Sequence, residues 1–379
     1  MKLVVRSGRQ GALVPYVGAA LVPFAASSPK VVVKSPNGGF MLTLLSLALG
    51  LVSAATVAGV GELVLWLAGE SWSVERVVRQ QGRAETIFQR RLFDSSIPAY
   101  KLRAIQIRRP RILVVGSARA SQWRAEMFGS QAAAFYNAAG VANSLGDLDS
   151  LVDNLPQKYA PSVLLLGLDY WWFNHQIPIH ASDLTHDEAM AWSSHARVLA
   201  RMLINPWSLT APGSPHIGLQ ARTQLEGFRR DGSWEGTGNT EPPLPGAGGV
   251  RSGLLEFPEC RVVSRERQQR LTLLLSELRK RSIFVVGYSQ PFSAKVLQQL
   301  ASDPGQKELW REFRAKMPHI FLQFGFVFVD GSDPGALGSN ELHVIDHCTG
   351  NEWYHRRLLR RMRDDPRVEA VLPSPGSQG

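Results

Sequence analysis

Cysteine is nearly absent: Cys260 and Cys348 are the two in 379 residues. That scarcity excludes a disulfide framework and a Cys-built zinc site, and leaves either one bridge in an oxidising compartment or two thiols. Acidic residues are missing before Glu62, whereas Lys2, Arg6, Arg9, Lys30 and Lys34 lie in that stretch. Charge of either sign is missing from Ser35 to Gly61. Over the whole chain only 20% of residues are charged against 44% hydrophobic, a balance that excludes a disordered chain. The net charge of +10 is spread along the sequence, as at Arg108, Arg109 and Arg111 or Arg356, Arg357, Arg360 and Arg361. Such a surface suits nucleic acid, acidic glycans or anionic headgroups, but no zinc-finger or RNP-type motif accompanies it, so nucleic acid is not an expected partner. His175, His180, His186 and His195 follow no standard ligand spacing, so no metal is expected, and no cofactor either.

The long uncharged stretch is the first thing present. A helix over Phe40 to Gly61 would be roughly 33 Å long, enough for the hydrocarbon core of a bilayer. Beyond Glu62 it continues through Leu63-Val64-Leu65-Trp66-Leu67, with Trp66 at one interface. Val52-Ser53-Ala54-Ala55 would suit a cleavage site, but the apolar run exceeds a signal-peptide h-region, which favours an uncleaved anchor. Met41 opens the apolar stretch and is a second candidate start. The upstream basic residues place the N-terminus in the cytoplasm and everything after Gly69 outside the inner membrane, facing the periplasm or cell exterior.

After the anchor, short all-apolar runs alternate with helical patterns. Ile112 to Val115 ends in Gly116-Ser117, Ala132 to Asn137 in Ala138-Ala139-Gly140, and Ser162 to Leu168 in Asp169. Ile283 to Tyr288 and Phe326 to Val329 follow. Helices are expected over Ser121–Gly129, Asn143–Leu155, Ser264–Arg281, Ala294–Leu300, Lys307–Met317 and Glu352–Met362. Such alternation predicts a parallel, doubly wound α/β sheet with helices on both faces. The division read from the sequence is a basic, poorly structured segment over 1–39 and an anchor over 40–69. A juxtamembrane helical segment over 70–109 packs on the domain or spaces it from the bilayer. An α/β domain follows over 110–363, with an irregular insertion at about 170–260 and a frayed tail over 364–379.

The ordered strand-end sequences Gly116-Ser117-Ala118-Arg119, Asn137-Ala138-Ala139-Gly140 and Gly167-Leu168-Asp169-Tyr170, with Asp346-His347 near the end, resemble the SGNH (GDSL-type) hydrolases. The similarity is to their membrane-anchored branch found beside exopolysaccharide and cell-wall glycan modification, and it covers roughly residues 110–360. The resemblance implies a flavodoxin-like sheet and acyl transfer. A Ser attacks an ester carbonyl, a His near the C-terminus takes its proton, an Asp orients the His, and backbone amides with an Asn hold the oxyanion.

Carried onto this chain, the resemblance gives Ser117 as nucleophile, His347 as base and Asp346 as its orienter. Gly116, Gly140 and Asn143 stand at oxyanion positions, with Asp169 and Arg119 toward substrate. The match departs from the pattern. Ala118 holds the third place of the first block, where the family has its Ser. Asp169 replaces the Asn of the third block, and an ionised carboxylate repels an oxyanion. His347 adjoins Asp346, where the family spaces the pair by three. Two readings stay open: an esterase or O-acyltransferase acting on a surface or cell-wall glycan or acylated polysaccharide, and a catalytically degenerate module that binds glycan or assembles with a membrane-bound acyltransferase or export machinery. Asp169 with Trp171 or Trp172 suits a sugar, or simply a turn and core packing. Arg119 suits a carboxylated glycan, or a solvent-facing helix start.

Overall fold

The computed structural model describes residues 37–90, 97–156, 158–179, 181–187, 195–200, 215–236, 261–345 and 347–374. Two compact units separate at 56/57. In the first, the described residues form the start of helix α1 (Asn37–Ala68), one continuous helix of 32 residues. Its side chains from Phe40 to Val57 are apolar or small and open to the surroundings on every face. Thr43 and Thr56 turn their hydroxyls back onto Gly39 O and Val52 O at 2.9 Å, so neither needs a partner outside the helix. The stretch Gly39–Ala68 is long and apolar enough to cross a membrane.

The second unit, 57–379, carries the α/β domain. Its main sheet has five parallel strands: β1 (Ile112–Val115), β2 (Phe135–Asn137), β3 (Val163–Leu168), β4 (Phe284–Ser289) and β5 (Val327–Val329), in the order β2-β1-β3-β4-β5. Strands β1 and β3 are buried at every position, as the centre of a two-sided sheet demands. Alternate residues feed two cores. Leu113, Val115, Leu164 and Leu166 point to one, with α3 (Ile97–Arg108), α4 (Leu145–Asn154), α5 (Arg265–Lys280) and, past α6 (Ala294–Ser302), α7 (Pro304–Leu322). Ile112, Val114, Val163 and Leu165 point to the other, with Trp123, Phe128 and α8 (Glu352–Arg363). Capping side chains fix where helices begin: Ser144, Ser264, Ser293 and Asn351 each accept a backbone amide of the first turn.

Several expectations need correction. The segment after β1 is not one helix over Ser121–Gly129. It is a 3-10 turn over Ala118–Ala120 and a 3-10 stretch over Ala125–Ala134, kinked at Gly129 (φ 52°), which leaves β2 to start only at Phe135. The tail is not frayed at Asp364: α9 (Pro366–Val371) follows, capped by Asp365, and Val368 and Leu372 are fully buried. The segment after the anchor packs on the domain. Helix α2 (Val74–Arg83) and α3 bury Val77, Val78, Tyr100, Ala104 and Ile105 in the first core. Between them Ile87–Phe88 joins a four-stranded sheet of two-residue strands with His216–Ile217, Gly227–Phe228 and Trp234–Glu235. Lys101, wholly buried, donates to Asn137 O at 2.9 Å and to Gly232 O, tying that small sheet to the end of β2. Burial holds its amine well below the usual lysine range, against the pull of Asp231.

Candidate functional site

The C-terminal rim of the sheet, where open α/β folds put their ligands, gathers most of the residues singled out from the sequence. Gly116 sits against Gly167: a Cβ on Gly116 would lie 3.0 Å from Gly167 O, and one on Gly167 would lie 2.5 Å from the Gln290 amide nitrogen. The two glycines let the ends of β1, β3 and β4 close together. Gly140 donates its amide to Gly116 O at 2.9 Å. The Asn137 side chain donates to Ala120 O and Trp123 O and accepts from Ala139 N, stitching the Ser117 loop to the end of β2. Asn143 is half-buried, and its backbone amide donates to the Asp147 carboxylate at 2.9 Å.

Arg119 occupies the middle of this rim. It is not a solvent-facing helix start: its side chain is 5% exposed and forms an ion pair with Asp169, itself 1% exposed. Its Nε donates to Cys348 O at 2.6 Å, and its other terminal nitrogen donates to Pro291 O. The guanidinium lies over the rings of Phe292 (4.5 Å) and Trp171 (5.1 Å). Burial raises the Asp169 carboxyl above its ordinary range; Arg119 and the nearby Ser117 hydroxyl oppose that shift. Ser117 Oγ, Asp169 Oδ2 and both Gln290 amide atoms are buried together at this rim. The adjoining recess, lined by Arg119, Leu168, Tyr170, Gln290, Phe292 and Trp310, has no room for a water molecule.

The expected Ser–His–Asp set is only partly gathered. Ser117, 8% exposed, sits in extended backbone ahead of the 3-10 turn, with no hydrogen bond to His347. His347 is exposed, in the left-handed region (φ 66°), and its Nδ1 faces Ser293 Oγ at 3.3 Å. Its carbonyl accepts the Ser293 amide at 2.7 Å. Asp346 and His180 lie outside the described residues, as does Cys260, so the Cys260–Cys348 pairing is not described; Cys348 itself is fully buried. Asp330, which follows β5, is engaged away from His347. Ser289 and Ser332 donate to its Oδ1, Arg314 pairs with its Oδ2, and these contacts hold its carboxyl below the usual range although burial pushes it up. Trp172 is buried; its carbonyl accepts from Arg267, which fixes the turn after β3. Among the described residues no group of three His, Cys, Asp or Glu could hold a metal ion.

Sequence reasoning named Arg119 and Asp169 separately and missed that they pair. The signal was there: opposite charges follow two neighbouring strands, β1 and β3, within a few residues of their ends. Ser293 and Gln290 carried no such signal, since each depends on how the loop after β4 folds back. Compared with known proteins, the chain matches no family model, no curated protein and no solved structure.

Proposed function

We propose that the chain is a single-pass inner-membrane protein whose SGNH-like domain faces the periplasm and is catalytically degenerate. It binds an acylated surface or cell-wall polysaccharide, or scaffolds a membrane-bound acyltransferase or export complex that modifies one. The strand order β2-β1-β3-β4-β5 supports a flavodoxin-like frame, and α1 supports the anchor. The observation that carries the reading is Arg119. Acyl transfer needs an open space beside the nucleophile for the carbonyl, with donors aimed at the developing oxyanion. Here the donors of Arg119 are committed to Asp169, Cys348 O and Pro291 O, and aromatic rings pack against its face. Nucleophile activation also needs a base within hydrogen-bond reach, whereas His347 Nδ1 is turned to Ser293.

The test is p-nitrophenyl acetate hydrolysis by the full-length protein in detergent beside its Ser117→Ala variant. Equal rates are expected. A loss of about 100-fold or more on removing Ser117 would restore the esterase or O-acyltransferase reading.

A further inference from the structure

The end of α1 does not lead into a spacer. Gly61 lies flush against Leu199, where a Cβ would come within 2.8 Å of the leucine side chain. Glu62 pairs with His195 at 3.0 Å. Leu65 and Ala68 are buried with Val198 and Leu219. The helix C-terminus is sewn down as well: Gly218 N donates to Ala68 O at 2.7 Å and Arg222 donates to Leu67 O at 3.0 Å. The last two turns of α1 are therefore part of the domain, and residues from Gly61 onward move with it.

This sets a depth scale. If the apolar stretch fills the hydrocarbon core up to Val60, Trp66 stands ~9 Å further along the axis at ~1.5 Å per residue, within the headgroup layer. At that level Arg76 lies over two indoles, 4.8 Å from the Trp66 ring centre and 4.4 Å from Trp72, and the two rings meet edge-on at 6.5 Å. Trp66 is 44% exposed beside Leu63 at 55% and Leu67 at 56%, so the apolar rim continues up to the cation. Among the described residues Arg76 pairs with no carboxylate; the neighbouring Glu75 is taken by Arg79 and Arg103. Arg83, also exposed, closes the same helix without an acidic partner among the described residues.

Resting on the reading of α1 as a membrane anchor, we infer that Arg76, held between Trp66 and Trp72 and assisted by Arg83, binds the phosphates of anionic phospholipids in the bilayer that α1 crosses. Indoles suit the interfacial layer because an apolar ring meets water through one N–H. A guanidinium stacked on them keeps its edge donors directed at phosphate oxygens. The occupant is the bilayer because the same helix that crosses it carries Trp66.

Full-length protein in nanodiscs of phosphatidylcholine with phosphatidylglycerol, released and examined by native mass spectrometry, tests the inference. Wild type is expected to retain phosphatidylglycerol about tenfold over phosphatidylcholine. Arg76→Gln/Arg83→Gln is expected to bring the ratio near parity, whereas Lys280→Gln/Arg311→Gln, which removes two exposed charges elsewhere, leaves it unchanged. Excess inorganic phosphate is expected not to compete. No preference in wild type, a preference that survives Arg76→Gln/Arg83→Gln, an equal loss in the control pair, or competition by phosphate would each overturn the lipid site. A chain that fails to enter the nanodiscs overturns the anchor reading instead.

Discussion

Arg119→Met is expected to cost about 3–5 kcal/mol of stability, measured by urea denaturation of the full-length protein in detergent. The loss follows from what remains behind. Asp169 would keep a carboxyl inside the domain with no cation beside it, and Cys348 O and Pro291 O would lose their donors. Arg119→Met/Asp169→Leu removes both charges and is expected to recover most of that loss, because a buried ion pair contributes little over a well-packed apolar pair. A residual deficit of about 1–3 kcal/mol should persist, since neither replacement restores the Arg119 donors to Cys348 O and Pro291 O. A single-variant loss below about 1 kcal/mol would mean that Arg119 is not the keystone of the rim.

The second large effect lies in acid. His355 of α8 is fully buried, packed on Trp123 at 4.8 Å, with Nδ1 against Asn351 O at 2.9 Å. Burial lowers its pKa from the ordinary 6.5 to about 3. Between those values the unfolded chain binds a proton that the folded one refuses. The stability it confers is therefore fully present above pH 6.5 and lost as the pH falls toward about 3. Each pH unit in that window is worth at most about 1.4 kcal/mol, or roughly 4–5 kcal/mol over the whole window as an upper bound. His355→Asn, which keeps a donor for Asn351 O without the titration, is expected to flatten the dependence. Parallel curves of stability against pH for the two proteins would refute the assignment.

How far the sequence could be read depended on whether a feature is local. Strands β1, β3 and β4 were legible because runs such as Ile112–Val115 and Val163–Leu168 must be buried on both faces. The apolar helix was legible from the uncharged stretch, and Gly116, Gly140 and Gly167 from their places at strand ends. What stayed hidden depends on contacts between distant segments. The two-residue strands at Ile87–Phe88 and His216–Ile217 are too short to leave a period-2 pattern and exist only because they pair. Lys101 reads as a surface residue of a helix, yet it is buried where Asn137 O and Gly232 O converge on it. Val368 and Leu372 sit among prolines and charges that read as a tail; packing against the second core orders them. At the rim, the sequence brought Ser117, Asp169 and His347 into one neighbourhood. Asp169 bonds Arg119 and His347 faces Ser293, pairings that local spacing could not rank.

The central claim is that Arg119 fills this rim and that His347, turned to Ser293, does not serve Ser117 as a base. Labelling the full-length protein with a fluorophosphonate, followed by peptide mapping, tests it most directly. The account predicts no phosphonylation at Ser117. A modified Ser117 whose labelling is abolished by His347→Ala would contradict it.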